Sequence, residues 1–127
     1  VDPFNIKSHN YTIRIAQEAA KVGFDEINFD YIRFPAKSDL HYSKINNQKN
    51  RIKAISDFLD QAKRKLRKYG VFISVDIYGN VCWSKDDNGI GQTIPSLAKH
   101  VDYIAPMLYP SCFSSGSFNF KHPAKHP

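Results

Sequence analysis

The chain has 127 residues, of which 42% are hydrophobic and 13% aromatic, and a formal net charge of +6. This composition predicts one folded domain with a core of its own and excludes a disordered chain or a collagen-like repeat. No apolar run approaches the ~18 residues of a transmembrane helix, and the N-terminus lacks the pattern of a signal peptide. Two cysteines, Cys82 and Cys112, are too few for a disulfide framework. We expect free thiols, with a disulfide between the two as the alternative.

The N-terminal part of the sequence changes from a helical to a strand-like pattern. A helix is predicted from Asn10 to just before Gly23, because apolar residues recur there at helical spacing. Apolar–polar alternation then predicts a strand over residues 24–32, and polar composition predicts a loop over 36–46. The expected buried face of the helix consists of Tyr11, Ile15, Ala19 and Val22.

A second, longer helix is predicted by an apolar stripe with steps of three and four residues. Asn46 or Asn47 is its expected N-cap and Gly70 its expected end. The stripe consists of Ile52, Ile55, Leu59, Ala62, Leu66 and Tyr69. Beyond it, the patterns predict strands over 71–78 and 102–109, a short helix over 93–100 and an irregular tail over 114–127.

The order of these elements determines the predicted fold. Strands that alternate with helices imply parallel strands joined by right-handed crossovers. Asp76 and Met107 are 31 residues apart, which is about the length of one unit of a (β/α)8 TIM barrel. We therefore predict an α/β fold in which residues 1–127 form part of a TIM barrel, with about three parallel β/α units. The open strand edges of such a part-barrel favour pairing into a homo-oligomer.

Two carboxylates mark the candidate catalytic site. Asp30 and Asp76 lie near the C-terminal ends of the first two strands, on the face opposite the apolar residues. Active sites of TIM barrels are built at this end of the strands. A pair of inward carboxylates suits general acid–base chemistry or a hard metal ion such as Mg²⁺ or Ca²⁺. The structural alternative is that Asp30 pairs with Arg33 and Asp76 caps a turn.

Other side chains near the strand ends are candidates for substrate binding. Arg33 is placed either to hold Asp30 ionised or to bind an anionic substrate group, and its alternative role is that of a surface arginine. Tyr78, Trp83 and Tyr109 follow strand ends and suit stacking on sugar rings, with core packing as the alternative. Met107 shares a face with the aromatic residues of the third strand and is expected to point inward.

Four segments together resemble a bacterial family of glycoside hydrolases. Their sequences are GFDEINFDYIRFP at 23–35, SVDIYG at 74–79, IGQ at 90–92 and VDYIAPMLYPS at 101–111. The similarity is best over residues 10–113, and it implies a TIM barrel of which this chain holds only the middle part.

The resemblance implies hydrolysis of O-glycosidic bonds in a poly- or oligosaccharide by two carboxylates. Asp30 and Asp76 would be the catalytic pair, and Gln92 would join Arg33 and the strand-end aromatic residues in substrate binding. The resemblance also implies a carbohydrate partner, no cofactor and a location outside the cytoplasm or in the cell envelope.

Three other functions are compatible with parts of the sequence. The basic cluster at 63–68 is compatible with nucleic-acid binding. However, a solvated helix face explains the cluster, and the sequence contains no recognised nucleic-acid-binding motif. Asp30 and Asp76 are compatible with a metal-dependent hydrolase. The histidines are scattered along the sequence, however, and we expect no metal. The short length of the chain is compatible with a truncated or non-catalytic barrel fragment that binds carbohydrate.

Overall fold

A computed structural model describes residues 2–36 and 40–126 and contains one parallel sheet with the strand order β1-β2-β3. The predicted α/β fold with three parallel units is therefore confirmed. Residues 37–39 of the predicted loop lie outside the described residues. A short 3-10 turn follows β3 at Pro110–Cys112, and the tail contains two more at Ser117–Asn119 and Pro123–Lys125. The main elements are α1 (Ile6–Lys21), β1 (Glu26–Phe29), α2 (Gln48–Leu66), β2 (Phe72–Tyr78), α3 (Ile94–Leu97) and β3 (Tyr103–Met107).

Helix α2 forms as the sequence predicts. The side chain of Asn47 accepts a hydrogen bond from the Asn50 N–H at 2.9 Å and so satisfies an unpaired donor of the first turn. A 3-10 turn continues the helix to Tyr69, and Gly70 then ends it in the left-handed conformation with φ +69°. The apolar stripe is buried against the sheet, with Leu59, Ala62 and Leu66 at its centre.

Helix α1 differs from the prediction in both its start and its buried face. It begins at Ile6, where Asn5 caps it by accepting a hydrogen bond from the Lys7 N–H. The predicted face is wrong: Tyr11, Ile15 and Val22 are exposed, and Ala19 is only half-buried. The apolar positions of α1 fit two helical faces, and the face with smaller side chains packs closest to the core. That buried face consists of Ile13, Ala16 and Ala20.

The two faces of the sheet have different chemistry. The face toward the helices is apolar, and Ile73, Val75 and Ile77 of β2 are buried there. On the opposite face, the Ser74 hydroxyl donates hydrogen bonds to the Glu26 carboxylate and, at 3.1 Å, to Asn28 Oδ1. The predicted alternation of β1 and β2 is therefore confirmed, and the polar face is the one that would line the inside of a barrel.

Both edges of the sheet are open in the part of the chain that the structure describes. β1 pairs only with β2, and β3 only with β2. Beside β1, a groove of about 300 Å³ is lined partly by Ile15 and Phe24. On the polar face, the rings of Phe72 and Tyr103 meet edge-on at 5.6 Å and are about half exposed. Apolar surface beside open edges is what the expected homo-oligomer would cover, and that oligomer stays a prediction.

The corrected face of α1 leads to a stability test with a matched pair of variants. Ile13 is 2% exposed and Ile15 is 54% exposed on the same helix. Ile13→Ala should lower the free energy of unfolding by about 2–5 kcal/mol, because it leaves a cavity in the core. Ile15→Ala should change it by less than about 0.5 kcal/mol. Urea unfolding of both variants measures the difference, and equal losses would contradict the observed orientation of α1.

Candidate functional site

A tight turn follows β1 and places Asp30 at the end of the strand. The predicted strand over 24–32 is too long, because β1 ends at Phe29 and Tyr31 adopts a left-handed conformation with φ +54°. Asp30 Oδ1 accepts a hydrogen bond from the Tyr31 N–H at 2.7 Å, and the Arg33 N–H donates to the Tyr31 carbonyl at 2.9 Å. As a result, Tyr31 does not continue the apolar face of β1 but is 69% exposed at the rim of the sheet.

The two predicted acidic residues follow neighbouring positions of the β1–β2 ladder. Phe29 pairs with Val75, so the next residue on each strand is Asp30 and Asp76. Neighbouring strands lie about 4.8 Å apart. Asp76 is half-buried at the centre of the polar face, and Asp30 is exposed. Among the described residues neither forms a salt bridge, so the alternative in which Asp30 pairs with Arg33 is not observed.

Arg33 lies between two aromatic rings at the same rim. Its guanidinium carbon is 5.3 Å from the ring centroid of Tyr31 and 5.9 Å from that of Tyr78. These distances are those of cation–π contacts. The hydroxyl of Tyr78 also accepts a hydrogen bond from Asn80 Nδ2 at 3.3 Å, which fixes the ring. The turn after β1 and the end of β2 are therefore joined by the Arg33 side chain.

Gln92 occupies a different place from the one expected of a substrate-binding residue. Its side chain is 0% exposed. Its Oε1 accepts a hydrogen bond from the Tyr78 N–H at 3.0 Å, and its Nε2 donates to the carbonyls of Asp76 at 3.3 Å and Ile32 at 3.4 Å. The Gln92 amide thus connects the end of β2 with the turn after β1, and it has no accessible surface with which to contact a substrate in this structure.

An ion pair that the sequence analysis did not identify holds the loop before Gln92. Asp87 is 2% exposed and accepts hydrogen bonds from Arg51 Nε at 2.7 Å and Nη2 at 2.9 Å. The same carboxylate accepts from the backbone N–H groups of Gly91 at 2.9 Å and Gly89 at 3.1 Å. The Asp-Asp-Asn-Gly run at 86–89 signals a turn, but nothing local in the sequence signals a partner 36 residues away on α2.

The ion pair changes the protonation equilibria of both partners. Burial raises the pKa of the Asp87 carboxyl, but the Arg51 guanidinium and the two glycine N–H groups outweigh this and hold that pKa below its usual range. The hydrogen bond to Asp87 raises the pKa of Arg51. Both groups are therefore charged at neutral pH.

The remaining candidates lie in or after the strand ends. Met107 is half-buried and pairs in register with Tyr78, and Tyr109 is exposed two residues beyond β3. Trp83 is exposed and its ring centroid lies 5.9 Å from that of Phe113 and 5.1 Å from that of Phe118. Trp83 therefore belongs to an aromatic cluster in the connections after β2 and β3, and no contact links that cluster to Arg33 within the described residues.

The two cysteines, the metal ligands and the helices bear on the remaining sequence predictions. Cys82 and Cys112 are exposed free thiols, so the expectation of free thiols is met and the disulfide alternative is not. Within residues 2–36 and 40–126, no three His, Cys, Asp or Glu side chains come together as a group suited to a metal ion. No helix in those residues combines the length and the apolarity needed to cross a membrane.

Comparison with known proteins gives one family and one kind of solved structure. A family model described as "Putative glycosyl hydrolase domain" matches residues 1–127. Crystal structures of the Group IV chitinase of Ostrinia furnacalis, one of them in complex with allosamidin, superpose with a TM-score of 0.60 and 20% sequence identity. Each match covers 86% of this chain and 27% of the chitinase chain. No curated protein matches the sequence.

The structural match explains the incomplete sheet. The chitinase is a TIM-barrel protein, and this chain spans about a quarter of its length. Three parallel strands with intervening helices are therefore part of a TIM barrel, as the spacing of the strands predicts. In this frame, the ends of β1 and β2 with Asp30 and Asp76 correspond to the C-terminal end of the barrel, where TIM-barrel sites lie.

The Arg51–Asp87 pair leads to a test of stability and its pH dependence. Asp87→Asn should cost about 3–5 kcal/mol in the free energy of unfolding, because it leaves the largely buried Arg51 without a counter-charge. Because the pKa of Asp87 is lowered on folding, its contribution is complete above the unfolded value of about 3.9 and is lost as the pH falls through the folded value.

Urea unfolding at a series of pH values measures both effects. The Asp87→Asn variant should lose less stability than the wild type as the pH falls below about 4. Asp57→Asn, which removes the exposed partner of Lys53, is the matched control and should cost less than about 1 kcal/mol. An Asp87→Asn variant with wild-type stability would show that the pair does not hold the loop.

Proposed function

The chain belongs to the glycosyl hydrolase domain family whose model matches its whole length, and from this membership we propose that it hydrolyses O-glycosidic bonds with Asp30 and Asp76 as the catalytic pair. The observation that supports the proposal is the register of β1 and β2, in which Phe29 pairs with Val75, so that Asp30 and Asp76 each directly follow a paired residue. Glycoside hydrolysis commonly uses two carboxyl groups on either side of the scissile bond.

The surroundings of the two carboxyl groups favour different roles. The general acid must be protonated before reaction, and exclusion of water favours the neutral form of a carboxyl group. Asp76 is the more enclosed of the two, because it is half-buried and pairs with Ala105 of β3, whereas Asp30 follows the end of β1. We assign it as the acid that protonates the glycosidic oxygen. Asp30 is exposed, and we assign it as the nucleophile or the base that activates water.

The substrate-binding surface follows from the positions of the other candidates. We propose that Tyr78, Trp83 and Tyr109 contact sugar rings, with Met107 on the floor beside Tyr78. These rings offer large amphipathic surfaces at low entropic cost. Gln92 acts in this proposal as a positioning residue, since its amide holds the backbone on which Asp76 and Tyr78 lie.

The rest of the groove must be supplied by other segments. The chain spans 27% of the chitinase that it resembles. We propose that the remaining walls come from polypeptide beyond these 127 residues or from a second copy at the open sheet edges. By resemblance to this group of hydrolases, we also propose that the protein acts on a poly- or oligosaccharide outside the cytoplasm or in the cell envelope.

Substitution of the two carboxylates tests the catalytic proposal. Asp30→Asn and Asp76→Asn should each lower kcat by at least about 100-fold, because each removes a proton-transfer or nucleophilic group. Asp25→Asn is the matched control, since Asp25 is an exposed residue at the other end of the same strand. Reducing-end release from chitin oligosaccharides and from a panel of other oligosaccharides measures the rates, and thermal unfolding checks that each variant folds.

The outcomes separate the candidate functions. Equal activity of the wild type and both variants would contradict the assignment of Asp30 and Asp76. Saccharide binding without turnover would indicate the non-catalytic carbohydrate-binding function instead. Where turnover is found, NMR of the first product reports the geometry: retention of the anomeric configuration corresponds to carboxyl groups about 5–5.5 Å apart, and inversion to about 6.5–9.5 Å.

A further inference from the structure

Arg33 carries a positive charge at the rim without an oxygen partner. Its Nε is buried, and no acceptor for that N–H lies among the described residues. Within the same residues, it also forms no salt bridge with either carboxylate of the site. A buried donor without an acceptor costs about 1–3 kcal/mol, and more when the group is charged. The structure therefore holds a charged donor group whose partner is not part of the described chain.

The position of this guanidinium is fixed by its neighbours. The rings of Tyr31 and Tyr78 hold it by cation–π contacts at 5.3 and 5.9 Å, and such contacts use none of its five N–H donors. Tyr31 reaches this position only through a left-handed turn, which is stabilised by the Asp30 carboxylate. Non-glycine residues in this conformation are uncommon and are concentrated at ligand-binding sites.

The chemistry of the Arg33 guanidinium determines which ligands it can bind. A planar guanidinium donates paired hydrogen bonds to carboxylate, sulfate and phosphate oxygens more specifically than a lysine does. The chain has a net charge of +6, which attracts anions toward the protein over a longer range. Arg33 lies between Tyr31, which follows Asp30, and Tyr78, which is two residues after Asp76, so an anion bound there would lie beside the proposed catalytic pair.

From this geometry we infer that Arg33 is a specificity-determining residue that selects saccharides carrying an anionic substituent, either a carboxylate or a sulfate or phosphate ester. The inference rests on the proposed saccharide site at Asp30 and Asp76. It names the substrate class of that site: an acidic saccharide, whose anionic oxygens accept hydrogen bonds from the Arg33 guanidinium.

Binding measurements on matched ligands test this inference separately from catalysis. The ligands are an oligogalacturonate, its methyl ester and a sulfated neutral oligosaccharide of equal length. All proteins carry Asp76→Asn, so that binding is measured by calorimetry without turnover. Arg33→Gln removes the charge, Arg33→Lys keeps the charge but not the planar fork, and Arg14→Gln makes the same change in net charge on the exposed surface of α1.

The expected result is a loss confined to the charged ligands. Arg33→Gln should weaken binding of the acidic oligosaccharide about 10- to 100-fold and leave binding of the ester unchanged. Arg33→Lys should give an intermediate loss, and Arg14→Gln almost none. If the affinity for the sulfated ligand falls by the same factor in Arg33→Gln, the site also accepts sulfate esters. If that affinity does not change, the site accepts carboxylates only. Both outcomes support an anion-selective site.

Three results would overturn the inference, and they are distinguishable. If Arg33→Gln weakens the acid and its ester equally, Arg33 only supports the rings of Tyr31 and Tyr78. If Arg33→Gln lowers the affinity for neither ligand although both bind, Arg33 does not recognise the anion, and the saccharide site stands without this selectivity. If neither ligand binds the protein with Arg33 intact but an oligosaccharide of the activity panel does, the acidic substrate class is wrong and the saccharide site stands; if no saccharide binds, both proposals fail.

Discussion

The Arg51–Asp87 ion pair is the interaction on which the geometry of the candidate site depends. Asp87 is buried and accepts two hydrogen bonds from Arg51 and two from glycine N–H groups, so its carboxylate is saturated. Such a group stabilises a structure only because its partners are all present. The pair ties the loop 87–92 to α2. That loop in turn reaches the strand ends, because the Ile90 carbonyl accepts from the Phe34 N–H at 2.8 Å and the Gln92 amide bonds the backbone of β2.

This arrangement leaves both candidate carboxylates without a salt bridge in the described part of the chain, although Asp30 also supports its own turn by accepting a hydrogen bond from the Tyr31 N–H. The backbone around Asp30 and Asp76 is held by Gln92 and by the turn at Tyr31, and neither carboxylate is used in a salt bridge among the described residues. A carboxylate neutralised by a permanent ion pair would be a poor acid or nucleophile, because the partner would have to be displaced during reaction. Supporting residues that bond the backbone leave candidate side chains available for other contacts.

The sequence predicts those parts of the molecule whose causes are local. The apolar stripe of α2 and the alternation of β2 specify their own elements, since burial along one face requires that spacing. The failures have long-range causes. The face of α1 was ambiguous because its apolar residues fit two orientations, and only packing on the sheet chooses between them. The buried Gln92 and the Asp87 partner on α2 depend on residues that are distant in sequence and meet only in the fold, whereas the left-handed turn at Tyr31 is held by its neighbours Asp30 and Arg33.

The polar face of the sheet changes in character along its length, and this gradient affects which end another segment could cover. At the N-terminal end of the strands, Phe72 and Tyr103 present apolar rings; in the middle, Ser74 is hydrogen-bonded to its neighbours; at the C-terminal end lies the Asp30–Asp76 pair. Covering the apolar end gains about 25 cal/mol per Å² of surface removed from water, whereas covering unpaired carboxylates costs free energy. Burial by a segment that completes the barrel is therefore favoured at the apolar end and disfavoured at the end with the carboxylates.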